Sequence, residues 1–360
     1  MSRIAIFSSS KPDAVSGNNA TLRRIARGLR GEGHGVTEVH VKAGAPLTRE
    51  EVAALRGHDI LHALHAWKTG VAVRQASLET GIPYVVSITG TDVYQDLTLP
   101  GRREAVLEVL AGARAGLTST SDVGALSREA VVPVAWVHVP KGVDLPPEEE
   151  ISAPRRAGDS VLFLHVGGWR DVKNNLFPLE PLRRLARELP GMRLRFLGPV
   201  LDPLYHARWL AGRERWPFAE HAGIVPPSLM AAELRGADVI LNTSHAEGGA
   251  NSVLEAMAAG RAVLASDIPG NLAFIRHDEA RWEESTGVLY RAAPAGGCGP
   301  VRTAGDAEDF LRKARRLALE TELRLQIGRN ARRAVIEEHA PEHEIAAVLD
   351  AYRLAGLEDV

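Results

Sequence analysis

Short apolar runs alternate with longer amphipathic segments along most of the chain. Arg3 to Ser8 opens on Ile-Ala-Ile-Phe, a run that predicts a buried strand. Asn19 to Gly31 places Leu22, Ile25, Ala26 and Leu29 three and four apart, which is one face of a helix. Gly33-His34-Gly35 stops that helix, and Val36 to Val41 starts a second strand. Further strands are expected at Ile60 to Leu64, Tyr84 to Ile88 and Gly116 to Ser119. The stretch from Pro146-Pro147-Glu148-Glu149-Glu150 to Pro154-Arg155-Arg156 is rich in proline and charge, lacks periodicity and reads as a linker. The alternation restarts at Val161-Leu162-Phe163-Leu164 and continues through Arg193 to Leu197, Val239 to Asn242 and Ala262 to Ala265. Charged helical sequence fills Asp306 to His339, Pro341 breaks it, and a last helix is expected over Glu342 to Ala355. This rhythm predicts βαβ units and mostly parallel sheets: an α/β chain of two Rossmann-like domains with a cleft between them. The expected limits are 1–145 for the first domain, 146–158 for the linker, 159–340 for the second domain and 341–360 for the terminal helix.

Composition narrows the function. Lys plus Arg is 43 and Asp plus Glu is 45, so the 360 residues carry a net charge of -2. A general nucleic-acid binder would carry a basic excess, and no polybasic membrane anchor is visible. The single cysteine, Cys298, excludes an internal disulfide framework and a multi-cysteine zinc site; flanked by glycines, it reads as an ordinary exposed thiol. No run approaches the ~18 apolar residues of a membrane span, and no signal-peptide pattern precedes the first strand. A cytoplasmic home is the expectation, and the sequon Asn242-Thr243-Ser244 is set aside as noise. The loop Ser8-Ser9-Ser10-Lys11-Pro12-Asp13 lacks G-x-G-x-x-G, which argues against a dinucleotide-dependent dehydrogenase.

In open parallel sheets ligands bind at the carboxyl ends of strands, so the loops that follow strands carry the chemistry. The most informative runs from Ala237 to Gly260. A strand ends near Asn242, a polar loop with Gly248 and Gly249 follows, and a helix opens near Ser252. Free N–H groups at a helix start beside flexible glycines make an anion site. Glu247 lies in the loop and Glu255 one turn into the helix. Ser252-x-x-Glu255 equally fits a capping box, in which the glutamate serves the helix itself. Gly260 reads as a helix C-cap, and His245 as a surface loop residue. His62 and His65 flank the end of a strand, ahead of Trp67 and Lys68. No third ligand suggests a metal, so one histidine is expected in the core and the other, His65, against substrate.

The Ala237–Gly260 stretch resembles the signature of glycosyltransferase family 4: two glutamates separated by seven residues, the second opening Glu-Ala-Met-Ala-Ala-Gly. The similarity extends over nearly the whole chain. Asn18 to Val41, Pro140-Lys141-Gly142-Val143-Asp144, Ala265-Ser266-Asp267-Ile268-Pro269-Gly270-Asn271 and Thr286-Gly287-Val288-Leu289 resemble further family segments. The resemblance implies a GT-B architecture, two Rossmann-like domains facing across a cleft, with a C-terminal helix returning to the N-terminal domain. It also implies retention at the anomeric carbon, a nucleotide-sugar donor, UDP by family frequency, and no obligatory metal or cofactor. On this resemblance Glu247 binds donor sugar hydroxyls and faces the anomeric centre, Glu255 holds the ribose, and Lys173 binds the diphosphate. Gly248, Gly249, Ala250 and Asn251 line the donor, as do Gly167 and Gly168. Gly168 stands where the family has arginine, and Arg170 is the expected substitute.

On the acceptor side, Ile88-Thr89-Gly90-Thr91-Asp92 stands where the family often has Ile-His-Gly-Thr-Asp. Threonine cannot act as a cation or an imidazole base. Thr89, Gly90 and Asp92, with Gly17, Asn18 and His65, are the expected acceptor-side residues. Shorter stretches, including Glu247 to Asn251, Thr89 to Leu97, Arg170 to Lys173 and Leu201-Asp202-Pro203, resemble the selenosugar synthases of selenoneine biosynthesis, which join a UDP-sugar to selenophosphate. Several also resemble the animal glycosyltransferase 1 domain-containing proteins. An anionic nucleophile would need donors rather than a base, and Lys11, Arg23, Arg24 and the N–H groups of Gly17 and Asn18 are candidates. A solvated helix face is the competing account of the two arginines. A non-catalytic nucleotide-sugar-binding protein is the alternative to an enzyme.

Overall fold

The computed structural model describes residues 1–12, 16–119, 134–147, 160–292 and 304–357. Most of the expected linker, and Cys298, lie outside these residues. The chain divides into two compact units, Met1–Gly142 with His339–Val360, and Val143–Glu338. Each is built on a six-stranded, wholly parallel sheet of Rossmann-like type.

The first sheet contains β1 (Arg3–Ser8), β2 (Gly35–His40), β3 (Ile60–Leu64), β4 (Tyr84–Ser87), β5 (Ala115–Thr118) and β6 (Ala135–His138) in the order 2-1-3-4-5-6. Ile4 to Phe7 and all of β3 are buried, as strands covered on both faces must be. The first helix, Gly17–Gly31, starts at Ser16, whose Oγ accepts the Asn19 N–H at 3.2 Å. Its predicted apolar stripe is buried against β1, β3 and the C-terminal helix Pro341–Leu354, which brings Ile345, Val348 and Tyr352. The two helices meet closely at Gly28, where a Cβ would stand 2.3 Å from Ile345 Cγ1. Across the same contact Arg24 donates from Nε and Nη2 to both oxygens of Glu344, at 2.5 and 2.8 Å. Arg24 is thereby removed from the solvated face, and from the acceptor-side cations, that the sequence suggests for it. Arg23 is the exposed neighbour and donates to the Pro12 carbonyl at 2.6 Å.

His62 is the core histidine of the pair. Nδ1 lies 2.9 Å from the Tyr352 hydroxyl and Nε2 2.7 Å from Ser87 Oγ. Burial drives its pKa down to about 3.

The second sheet contains β7 (Leu162–Val166), β8 (Arg193–Leu197), β9 (Ala219–Gly223), β10 (Val239–Asn242), β11 (Ala262–Ser266) and β12 (Val288–Tyr290) in the order 12-11-10-7-8-9. Strands 7 to 9 run outward one way, and β10 returns to the other side of β7. That reversal is a topological switch point, where loops diverge and a ligand crevice opens at the carboxyl ends. The first sheet has its own switch point between β1 and β3. Among the described residues no helix is long and apolar enough to cross a membrane.

Candidate functional site

Two loops meet at the β7/β10 switch point. After β7 the chain runs through Gly167-Gly168-Trp169-Arg170 into a tight turn, Asp171–Lys173, closed by Asn174 at φ 52°. After β10 it runs from Thr243 to Ala250. The loops are tied by the His245 N–H on the Val172 carbonyl (2.8 Å) and by Asn174 Nδ2 on the Thr243 carbonyl (3.0 Å). His245 itself is exposed.

Lys173 Nζ lies 2.5 Å from Glu247 Oε1. Ser244 Oγ reaches the same oxygen at 2.5 Å and Asn242 Nδ2 at 3.4 Å. The Lys173 and Glu247 side chains are only 16% and 11% exposed, so little water screens the pair. Burial pushes the Glu247 carboxyl up, but Lys173 and the hydrogen bonds outweigh it and hold the pKa below the usual carboxylate range. Glu247 is an anion here, with one oxygen saturated by donors.

A polar layer lies beneath. Asn242 Oδ1 accepts the Ser244 N–H (3.2 Å) and Asn271 Nδ2 (3.3 Å). Asn271 also donates to the Ser266 carbonyl (2.9 Å), and Ser266 Oγ donates to the Ser244 carbonyl (2.7 Å). Gly270 presses on the loop from the same side: a Cβ there would stand 2.1 Å from the Glu247 carbonyl oxygen. Alanine at Gly270 must therefore displace Glu247 backbone. Overpacking of this kind costs about 1–3 kcal/mol. Gly270→Ala is expected to destabilise the protein by that amount, which urea denaturation would measure.

His165, on β7, bonds Thr243 Oγ1 through Nε2 at 2.9 Å. Burial, helped by the Lys173 charge, drives its pKa to about 3. His62 and His165 thus stay neutral when folded but take up a proton below about pH 6.5 when unfolded. The sign follows: neither costs stability above that pH, and each destabilises increasingly as pH falls from about 6.5 toward 3. The slope is about 1.4 kcal/mol per pH unit per histidine. Denaturation at pH 7, 6 and 5 is expected to show it, with His62→Gln reducing the slope below pH 6.

The helix after the loop spans Asn251–Ala258, with Ala250 at its N-cap and no side-chain cap bond. Ser252 lies inside the helix, so the capping box does not form, and Glu255 stands part-exposed one turn in. Gly249 has φ 97°, a conformation that favours glycine. Gly260, at φ 66°, closes the helix: its N–H reaches the Met257 carbonyl, and the Arg261 N–H the Ala256 carbonyl. Gly167 and Gly168 lie against Gly198, where a Cβ would be 2.6 Å from the Gly167 oxygen. Arg170 enters the same loop, and its Nε is buried with no partner among the described residues.

The expected acceptor-side residues gather in the first unit. Gly17 and Asn18 open the first helix, after β1, and Lys11 is exposed nearby. His65 follows β3; Thr89, Gly90 and Asp92 follow β4. Asp92 is fully buried, and its carboxylate accepts the N–H groups of Ala66 (3.2 Å), Thr89 (3.1 Å) and Gly90 (2.8 Å). It holds the loop rather than facing a ligand. His65 is buried too, and burial lowers its pKa against the pull of Asp92. Sequence reasoning missed Asn242 and Ser244, which hold the Glu247 carboxylate. Nothing in their local patterns marks them, although Gly270 and Asn271 lie in a stretch that the family resemblance covers.

Comparison with known proteins follows the same lines. The model of a family described as glycosyl transferase-like matches residues 179–350. The chain is 26% identical over 350 residues to glycosyltransferase 1 domain-containing protein 1 of Xenopus tropicalis, covering 92% of each protein. It is 28% identical over 295 residues to a D-inositol 3-phosphate glycosyltransferase of Geodermatophilus obscurus, covering 74% of this chain and 65% of that one. Among solved structures, Anabaena HepE in complex with UDP and glucose superposes with a TM-score of 0.77 at 14% identity, covering 98% of this chain and 100% of that one. Sucrose-phosphate synthase from Thermosynechococcus elongatus gives 0.77 at 18% identity, with 98% of each covered. Residues 179–350 are thus similar in sequence to glycosyl transferase-like proteins, and the two parallel-sheet units share the GT-B fold of these solved structures.

Proposed function

We propose that this protein is a retaining glycosyltransferase of the family 4, hexosyltransferase type, acting in the cytoplasm. It would take a nucleotide-sugar, a UDP-sugar first, and pass the sugar to an acceptor held by the first unit. The observation that carries this reading is the Lys173–Glu247 pair at the β7/β10 switch point, beside the helix that bears Glu255. An ammonium has three N–H groups, so Lys173 can serve Glu247 and a phosphate oxygen together. Its charge stabilises the diphosphate as the anomeric C–O bond breaks, with Arg170 as the second cation, and the reading calls for no metal. Glu247 orients sugar hydroxyls at the anomeric centre, and Glu255 holds the ribose. The acceptor attacks the face that the diphosphate leaves, and the diphosphate takes its proton. Solved relatives described with UDP and glucose, and with UDP-glucose, support UDP.

A second reading, a selenosugar synthase, is favoured by Thr89 where the family often has histidine, since an anionic selenium nucleophile needs no base. The test is incubation with UDP-, GDP- and ADP-sugars, with and without selenophosphate, products being read by mass spectrometry beside a Glu247→Ala control. A selenium-bearing sugar formed only with selenophosphate puts the second reading first. Nucleotide release from one donor, lost in the control, supports the first. Donor binding without release from any donor overturns both and leaves a nucleotide-sugar-binding protein.

A further inference from the structure

His65 begins the loop after β3, beside the β1/β3 switch point of the first sheet. Its φ is 121°, a region that non-glycine residues rarely adopt. The local bonds explain how it is held. Nδ1 accepts the N–H groups of Trp67 (3.2 Å) and Lys68 (3.1 Å), and the His65 carbonyl accepts those of Thr69 and Gly70. A neutral imidazole carries one proton; with Nδ1 accepting, that proton is on Nε2. Nε2 lies 2.9 Å from Thr91 Oγ1, so His65 donates and Thr91 accepts. Lys68 Nζ donates to the same oxygen at 3.4 Å.

A hydroxyl has two lone pairs and one proton. Here both lone pairs are taken, so Thr91 interacts further only as a donor. No described residue accepts that proton, and Thr91 is part-exposed. The neighbouring carboxylates belong to the frame. Asp92 is engaged by three backbone N–H groups, and Asp96 Oδ1 by Arg102 at 2.8 Å. Asp96 Oδ2, buried, faces His65 Nε2 at 3.5 Å. Arg102 is itself steadied over the Trp67 ring, 3.9 Å from its centroid.

We infer that the Thr91 hydroxyl and the Lys68 ammonium form a subsite for an anionic oxygen group, phosphate or carboxylate, at the carboxyl ends of β3 and β4. His65 is its positioning residue: it fixes which way the Thr91 proton points. A ligand oxygen that accepts from Thr91 lies within reach of the Lys68 charge, which selects an anion over a neutral hydroxyl. Calling that group part of the acceptor rests on the proposed function; the binding itself does not.

The test is calorimetric titration of the full-length protein with inorganic phosphate, repeated with acetate. Phosphate is expected to bind wild type and Thr91→Ser alike, and at least about tenfold more weakly in Thr91→Val and in Lys68→Met. Lys173→Met removes the phosphate partner proposed at the other sheet, and the saturable site that depends on Thr91 and Lys68 is expected to remain in that variant. Acetate binding with the same variant pattern assigns a carboxylate, and phosphate alone assigns a phosphate group. Wild-type affinity in either Thr91→Val or Lys68→Met overturns the inference. So does loss of binding in Lys173→Met, or no saturable binding of either anion. If Thr91→Val fails to fold, Lys68→Met decides. This pattern without sugar transfer from any donor would defeat the enzyme reading and leave the subsite standing.

Discussion

Lys173→Met is expected to lower sugar transfer by about 10²–10³-fold, the usual loss when one preorganised electrostatic partner of a leaving group is removed. The lysine sits in a dry setting, 16% exposed and bonded to a Glu247 that is 11% exposed. Methionine keeps the length and the apolar stem but removes the charge. Glu247 then retains only Ser244 and Asn242 as donors, against a burial that favours the neutral acid. Its pKa, now below the ordinary carboxylate value, is expected to rise. The acid limb of the pH–rate profile therefore moves to higher pH. The same shift applies to stability. In wild type the depressed pKa of Glu247 contributes stability at neutral pH that is lost as pH falls through the folded value, and Lys173→Met removes that contribution. Measuring kcat against pH for both proteins checks the reading. Unchanged kcat and an unmoved acid limb would show that Lys173 is a structural cation only.

Arg24→Ala is expected to destabilise the first unit by about 3–5 kcal/mol, the cost of leaving one member of a buried ion pair unpaired. Arg24 and Glu344 side chains are 9% and 3% exposed and joined by two hydrogen bonds. Alanine strands the Glu344 carboxylate where water does not reach it. The double variant Arg24→Met with Glu344→Leu removes both charges and fills the space, and is expected to recover most of the loss. Urea denaturation of the three proteins checks this. The contact also tests the terminal helix: removing residues 341–360 takes away Glu344, Ile345, Val348 and Tyr352 together. That truncation is expected to cost more than Arg24→Ala, with His62 losing its Tyr352 partner as well.

The interior strands were legible in the sequence because burial on both faces demands an unbroken apolar run. Ile4 to Phe7 and Val239 to Leu241 are such runs, Ile60 to Leu64 is one broken only by His62, and each lies in an interior strand of its sheet. The unpredicted strands, β6, β9 and β12, all lie at sheet edges. Ala135–His138 and Ala219–Gly223 keep exposed positions, and Val288–Tyr290 is three residues long, too short to show a period. The capping-box alternative at Ser252 went the other way: a local pattern fitted, but the helix starts at Asn251 and leaves Ser252 inside it.

Local order along the chain therefore determined the α/β class, the parallel sheets, the strand-end loops and the identity of the charged residues in them. Pairing is different, because it depends on which strands become neighbours. Lys173 and Glu247 are 74 residues apart and meet because β10 returns beside β7. Arg24 reads as a surface cation until a helix 320 residues later covers it. Thr91 has no signal of its own; its hydroxyl acquires a direction only when β3 and β4 lie side by side and His65 fills one of its lone pairs. A side chain's type is written in the sequence, but its protonation, burial and hydrogen-bond direction are properties of the neighbours that only the tertiary fold supplies.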